Sequence, residues 1–188
     1  MEDSKNCKNI TLKDMIDAYQ VSRDDLKKYC VFFDNTGGNV ATFFSYKGHL
    51  VDFNKEMMKV ETGNKSVADA CEVLRTSVIG GMRNGTCVAL NMDNYMPDFK
   101  NEYNKPDGCE LWDTDVVFDF STFRADEEIY KKIMKKEEDV DMMGNKWCFS
   151  IMKDFQMCLL YSYKNEDHAQ KVMDSLPHPD KFMKYLIS

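Results

Sequence analysis

The sequence contains no apolar run near the length of a membrane span, and its polar N-terminus lacks the apolar core of a secretory signal. It also has no excess of positive charge. Lys and Arg number 25 against 32 Asp and Glu, a formal charge of −7 spread over both signs. Nucleic acids and anionic membranes call for a net basic face, so neither is expected as a partner. The three histidines, at 49, 168 and 178, stand apart and give no metal-ligand spacing. The seven cysteines are odd in number and scattered, with no C-x-x-C pair, and Cys30, Cys71, Cys87, Cys148 and Cys158 fall within apolar patterns. Reduced thiols in a cytoplasmic protein are the expectation. There is no internal repeat, no low-complexity tract and no linker long enough to divide 188 residues, which suit one α/β domain.

What is present alternates between strand and helix signals. Thr11 with Asp14 resembles a capping box ahead of Leu12, Met15, Ile16 and Tyr19, and Ser22 to Asp25 repeats the start signal. Residues 1–27 therefore read as an N-terminal helical extension of two short helices, ahead of the α/β domain at 28–188. Tyr29 to Phe33 reads as a buried strand, Asp34 to Asn39 as a turn, and Val40 to Tyr46 as a helix start. His49 to Phe53 alternates weakly. Ser66 opens the clearest helix, which runs to Asn84 and stops at Gly85. Thr86 to Met92 has the continuous apolar run of a central parallel strand. Pro97 to Gly108 reads as an exposed turn, and Glu110 to Phe123 fits either a strand or a loop packed by aromatics. Ala125 to Glu138 reads as a charged helix whose Lys131-Lys132 and Lys135-Lys136 pairs form a solvated face. Asp154 to Tyr161 is a strand, Glu166 to Ser175 a helix, and Phe182 to Ile187 a final strand. The expected architecture is α/β, three-layered, with a mostly parallel sheet and helices on both faces.

The stretch from Lys28 to Gly48 organises this plan. A strand, a glycine turn and a helix form the layout on which nucleotide folds hold phosphates, because unpaired N–H groups at the helix start face the turn. The pattern Gly, four residues, then Gly-Lys-Ser/Thr is missing. Gly37 and Gly38 are adjacent, and no lysine precedes Thr42. The segments Val31 to Phe44, Leu74 to Asn91 and Asp154 to Asn165, in that order and spacing, resemble the nucleotide-binding cores of AAA-type P-loop proteins. The likeness is nearest to the degenerate modules late in the dynein motor ring and to dynein-like cores of ciliary ankyrin-repeat proteins.

That resemblance, which spans about Lys28 to Ile187, implies a P-loop NTPase-like fold with a vestigial phosphate loop at Asp34, Asn35, Thr36, Gly37, Gly38, Asn39 and Thr42. It puts Asn91 where the metal-binding acid pair should end its strand, with Asp93 two residues on, and Ser162 (or Asn165) at the polar sensor position. With the loop lysine and an acid absent, phosphoryl transfer loses its largest electrostatic terms. The expectation is a catalytically inactive module that binds a protein partner, in a cytoskeletal or axonemal setting. Two alternatives stay open: binding of ATP or ADP with Mg²⁺ without turnover, and a small kinase-like enzyme with an atypical loop. For Asp34 the residues themselves favour an Asx-type turn, and for Asp93 a turn cap. Trp112 and Trp147, both in loop-like stretches, are the candidate binding aromatics.

Overall fold

A computed structural model describes residues 7–188. Six strands form one sheet, all parallel: β1 (Lys8–Ile10), β2 (Tyr29–Asp34), β3 (His49–Val51), β4 (Cys87–Asp93), β5 (Gln156–Ser162) and β6 (Phe182–Ile187), in the order β1-β6-β2-β5-β4-β3. The continuous apolar runs of β2, β4 and β5 occupy the middle, where both faces are covered. The short strands β1 and β3 close the edges.

Side chains alternate across the pleat and divide the core in two. Val31 and Phe33 of β2, Val88 and Leu90 of β4, and Leu159 and Tyr161 of β5 face the larger cluster, under α3 (Phe53–Glu61), α4 (Val67–Asn84) and α8 (Glu166–Ser175). Cys30, Phe32, Ala89, Cys158 and Leu160 face the smaller cluster, under α1 (Met15–Asp24) and α2 (Asn39–Lys47), which contribute Met15, Val40 and Phe44. The result is the three-layer α/β fold expected from the sequence.

Local signals explain the longest helix. Ser66 Oγ accepts the Asp69 N–H at 3.0 Å at its start, and Gly85 ends it in the left-handed region at φ 65°. In its last turn, a Cβ on Gly81 would lie 2.2 Å from Val88 Cγ2, so glycine there lets α4 settle on β4.

Several elements differ from expectation. Within the segment read as a helical extension, Lys8–Ile10 is a strand paired with Tyr185–Ile187 of β6, and the two short helices are a 3-10 turn at Leu12–Asp14 followed by one continuous α1. The three-residue strand is too short to show a period. A helix absent from the sequence reading, α3, follows β3. The ambiguous stretch 110–123 folds as short helices, α5 (Thr114–Val117) and the start of α6 (Phe120–Ala125), capped by Asp113 and Asp119.

The single helix expected over 125–138 is broken into α7 (Glu127–Tyr130) and 3-10 turns at Lys131–Ile133 and Lys136–Glu138. The cause lies on α4. Fully buried Arg75 takes the Ile133 carbonyl at 2.7 Å and both oxygens of Glu138 at 2.6 and 2.8 Å, while also holding Glu72 at 2.7 Å. Those acceptors are drawn to the guanidinium, and the helical ladder stops. Two of the four lysines are likewise not simply solvated: Lys131 pairs with Asp139 at 2.8 Å and also with Glu127, and Lys135 with Glu72 at 2.8 Å.

Trp112 is not a surface aromatic. It is fully buried and meets Phe118 edge-on at 6.3 Å, as part of the aromatic core beneath residues 94–125. All seven cysteines are free thiols, and Cys148, read as part of an apolar pattern, is the exposed one.

Candidate functional site

The helices that follow β2 and its neighbour β5 leave to opposite faces: α2 packs on the smaller cluster and α8 on the larger. The topology therefore switches direction at the carboxyl ends of these strands, the place where open parallel sheets bind ligands. The candidate residues from the sequence collect along this edge. Asp34 ends β2, Asn91 and Asp93 end β4, and Ser162 ends β5 as the register partner of Asp34.

The loop after β2 is folded around its own carboxylate. Asp34 Oδ1 accepts the Thr36 N–H at 2.7 Å and the Thr36 hydroxyl at 2.5 Å. Asp34 Oδ2 accepts the N–H groups of Gly38 and Val40, each at 3.1 Å. The first of these contacts is the Asx-type turn anticipated from the sequence. The others go further, because Gly38 and Val40 carry the N–H groups with which a strand–turn–helix loop would hold a phosphate. Gly37 at φ 76° and Gly38 at φ 99° make the arrangement possible, since a side chain in that region is strained. Asn39 Nδ2 donates to the Thr36 carbonyl at 2.9 Å, and the Asn35 N–H is taken by the Ile187 carbonyl at 3.0 Å.

Thr42 is exposed, with its hydroxyl turned back onto the Gly38 carbonyl at 3.0 Å. Lys47, the nearest following lysine, closes the nine-residue α2. At 1.5 Å per residue it stands roughly 12 Å along the axis from the loop.

The second half of the edge holds two separate polar pairs, one between β3 and β4 and one between β4 and β5. Ser162 Oγ donates to Asp93 Oδ1 at 2.5 Å, and Asn94 Nδ2 donates to the same oxygen at 3.0 Å. A register shift between Asn91 and Asp93, with Asp93 at φ 53°, aims this carboxylate towards β5. Asn91 Nδ2 donates instead to Asp52 Oδ1 at 3.3 Å. Asp52, at the end of β3, was missed from the sequence. Its signal was a carboxylate immediately after a strand, obscured because that strand has three residues. Lys55 is the main influence holding the Asp52 carboxyl below its usual range, with Asn91 assisting against partial burial. Asn165, the alternative to Ser162, caps α8 by accepting the His168 N–H at 2.8 Å.

The structure thus brings Asp93 and Ser162 together and leaves Asn91 on a different partner. Among the described residues no group of three or more His, Cys, Asp or Glu side chains is arranged to hold a metal ion. No described helix is long and apolar enough to cross a membrane. Compared with models of known protein families, with curated proteins and with solved structures, the chain matches none of them.

Proposed function

We propose that this chain is a P-loop-like module that performs no phosphoryl transfer and serves as a structural or interaction protein. One observation carries the reading: the carboxylate of Asp34 accepts the N–H groups of Thr36, Gly38 and Val40, the donors that a phosphate in such a loop would need. A nucleotide would have to displace a tethered anion, meet its negative charge, and do so without a loop lysine. The strand order fits the ancestry, with the sensor-like strand β5 between the loop strand β2 and the strand β4 that should bear the acids.

The interaction half of the proposal rests on residues 140–147. Asp141 fixes this turn by accepting the N–H groups of Met143 and Asn145, each at 2.8 Å. Met143 and Trp147 are 88% and 66% exposed, and Trp147 is held at φ 62°, a conformation unfavourable for a bulky side chain. A rigid turn presenting a strained, solvent-facing tryptophan suits a protein partner better than it suits the fold. A cytoskeletal or axonemal setting belongs to the same proposal and rests on the dynein-like resemblance alone.

The test is an amide NMR titration of the whole chain with ATP and ADP, each with Mg²⁺. The signals of Gly37, Gly38 and Val40 should stay in place at millimolar nucleotide. Saturable movement of these three would return the loop to nucleotide binding and overturn the proposal.

A further inference from the structure

At the opposite end of the sheet, where β2 and β5 begin, α1 and α6 flank a cavity of about 440 Å³. Its lining includes Arg23, Lys27, Arg124 and Lys153 against one carboxylate, Asp24, with Phe120, Ser121 and Ala125 completing it. Asp24 is spent on Arg23, which grips both of its oxygens at 2.7 and 2.8 Å. Asp154, outside the lining, also lies 3.6 Å from Arg23. Arg124, Lys27 and Lys153 have no carboxylate within ion-pairing distance among the described residues. In a chain of formal charge −7, this is a concentrated positive site.

The Arg124 guanidinium in its lining is fixed in place. Arg124 donates to the carbonyls of Phe155 at 2.7 Å and Lys153 at 3.2 Å, and lies over the Phe120 ring at 4.9 Å and the Phe155 ring at 5.6 Å. These contacts use two of the five N–H groups an arginine carries, and the rest remain for another acceptor. Burial is the main cause lowering the Arg124 pKa, the mark of a cation not fully compensated by its surroundings. Lys27 already donates to the Asp24 carbonyl at 2.6 Å and so partly caps α1, whereas Lys153 is exposed with no acceptor among the described residues.

We propose that this groove binds an organic phosphate, its phosphate among Arg124, Lys27 and Lys153 and its body against Phe120 and Ala125. A phosphate matches a fixed guanidinium flanked by two ammonium groups. A cavity of about 440 Å³ is far larger than one inorganic anion, and its aromatic wall favours a ligand with an apolar portion.

Phenyl phosphate, inorganic phosphate and sodium chloride at matched ionic strength are the probes, read by amide NMR on the full chain. The expected result is saturable movement of signals from residues 23–27, 120–125 and 153 with phenyl phosphate, weaker movement with inorganic phosphate and none specific to chloride. Lys153→Glu, an exposed change that spares the Arg124 clamp, should weaken phenyl phosphate at least about tenfold. Arg124→Lys should weaken it as well, with folding checked by the unchanged signals of β4. No saturation at 10 mM overturns the proposal, as does binding that Lys153→Glu leaves intact. Movement confined to Gly37, Gly38 and Val40 would place the phosphate at the other end of the sheet, which defeats this inference and the preceding one together. Movement confined to the groove leaves the Asp34 reading standing.

Discussion

Asp34 Oδ2 accepts the N–H of Val40 at 3.1 Å, so the last residue of β2 closes the first turn of the helix that follows it. The same carboxylate holds Thr36 and Gly38. Strand, turn and helix are joined by a charge that belongs to the chain. Asp34→Ala should therefore lower stability by about 2–3 kcal/mol, since it strands several donors that had an ionised partner. Urea denaturation at neutral pH measures this. Thr36→Val, which removes one hydroxyl donor and keeps the N–H, should cost no more than about 1 kcal/mol.

Much of this was legible in the sequence. The apolar runs of β2, β4 and β5, the Ser66 and Gly85 boundaries of α4 and the Asp34 turn all follow from local patterns and survive in the fold. What escaped was decided by distant contacts. The break after Tyr130 depends on Arg75, far away in sequence, and the burial of Trp112 depends on Phe118 and its neighbours meeting in space. That Asn91 turns to Asp52 while Asp93 turns to Ser162 follows from a register shift that no local pattern announces.

The Arg75 cluster makes the fold sensitive to acid. Arg75, followed by Lys135, pulls the Glu72 carboxyl down to about 2, against burial, and Arg75 likewise lowers Glu138 despite its partial burial. A carboxyl depressed in the folded state contributes stability above its unfolded pKa and loses it as pH falls through the folded value. The loss should appear between about pH 4.5 and about pH 2. Because Glu72 is partly solvated, its share is smaller than that shift alone implies. Arg75→Ala should cost about 3–5 kcal/mol at neutral pH and flatten that acid limb. Denaturation curves at pH 7, 4 and 3 read both effects.

The two tryptophans should separate cleanly. Trp112→Ala removes a fully buried ring and should cost about 3–5 kcal/mol. Trp147→Gly replaces an exposed residue held at φ 62° by one that accepts that backbone, and should raise stability by up to about 1 kcal/mol. If Trp147 serves recognition, the same variant loses partner capture from a lysate while melting no lower than the parent. A fall in melting temperature would assign the ring to the fold.

Thiol reactivity should follow exposure. Burial pushes Cys7 and Cys109 up to about 11 and Cys71 to about 12, whereas Cys148 is exposed. Ellman's reagent should label one thiol quickly in the folded protein and the other six only in denaturant. Cys148→Ser should abolish the fast phase.

The most direct measurement compares the amide signals of Gly38 and Val40 in the parent and in Asp34→Ala during a titration with inorganic phosphate, both on a Lys153→Glu background. With the internal carboxylate in place, the parent signals should not move. With it removed, they should shift saturably as the external anion takes the vacated donors. Saturable movement in the parent, or an equal response from both proteins, would contradict the assignment of Asp34 as the anion that fills this loop.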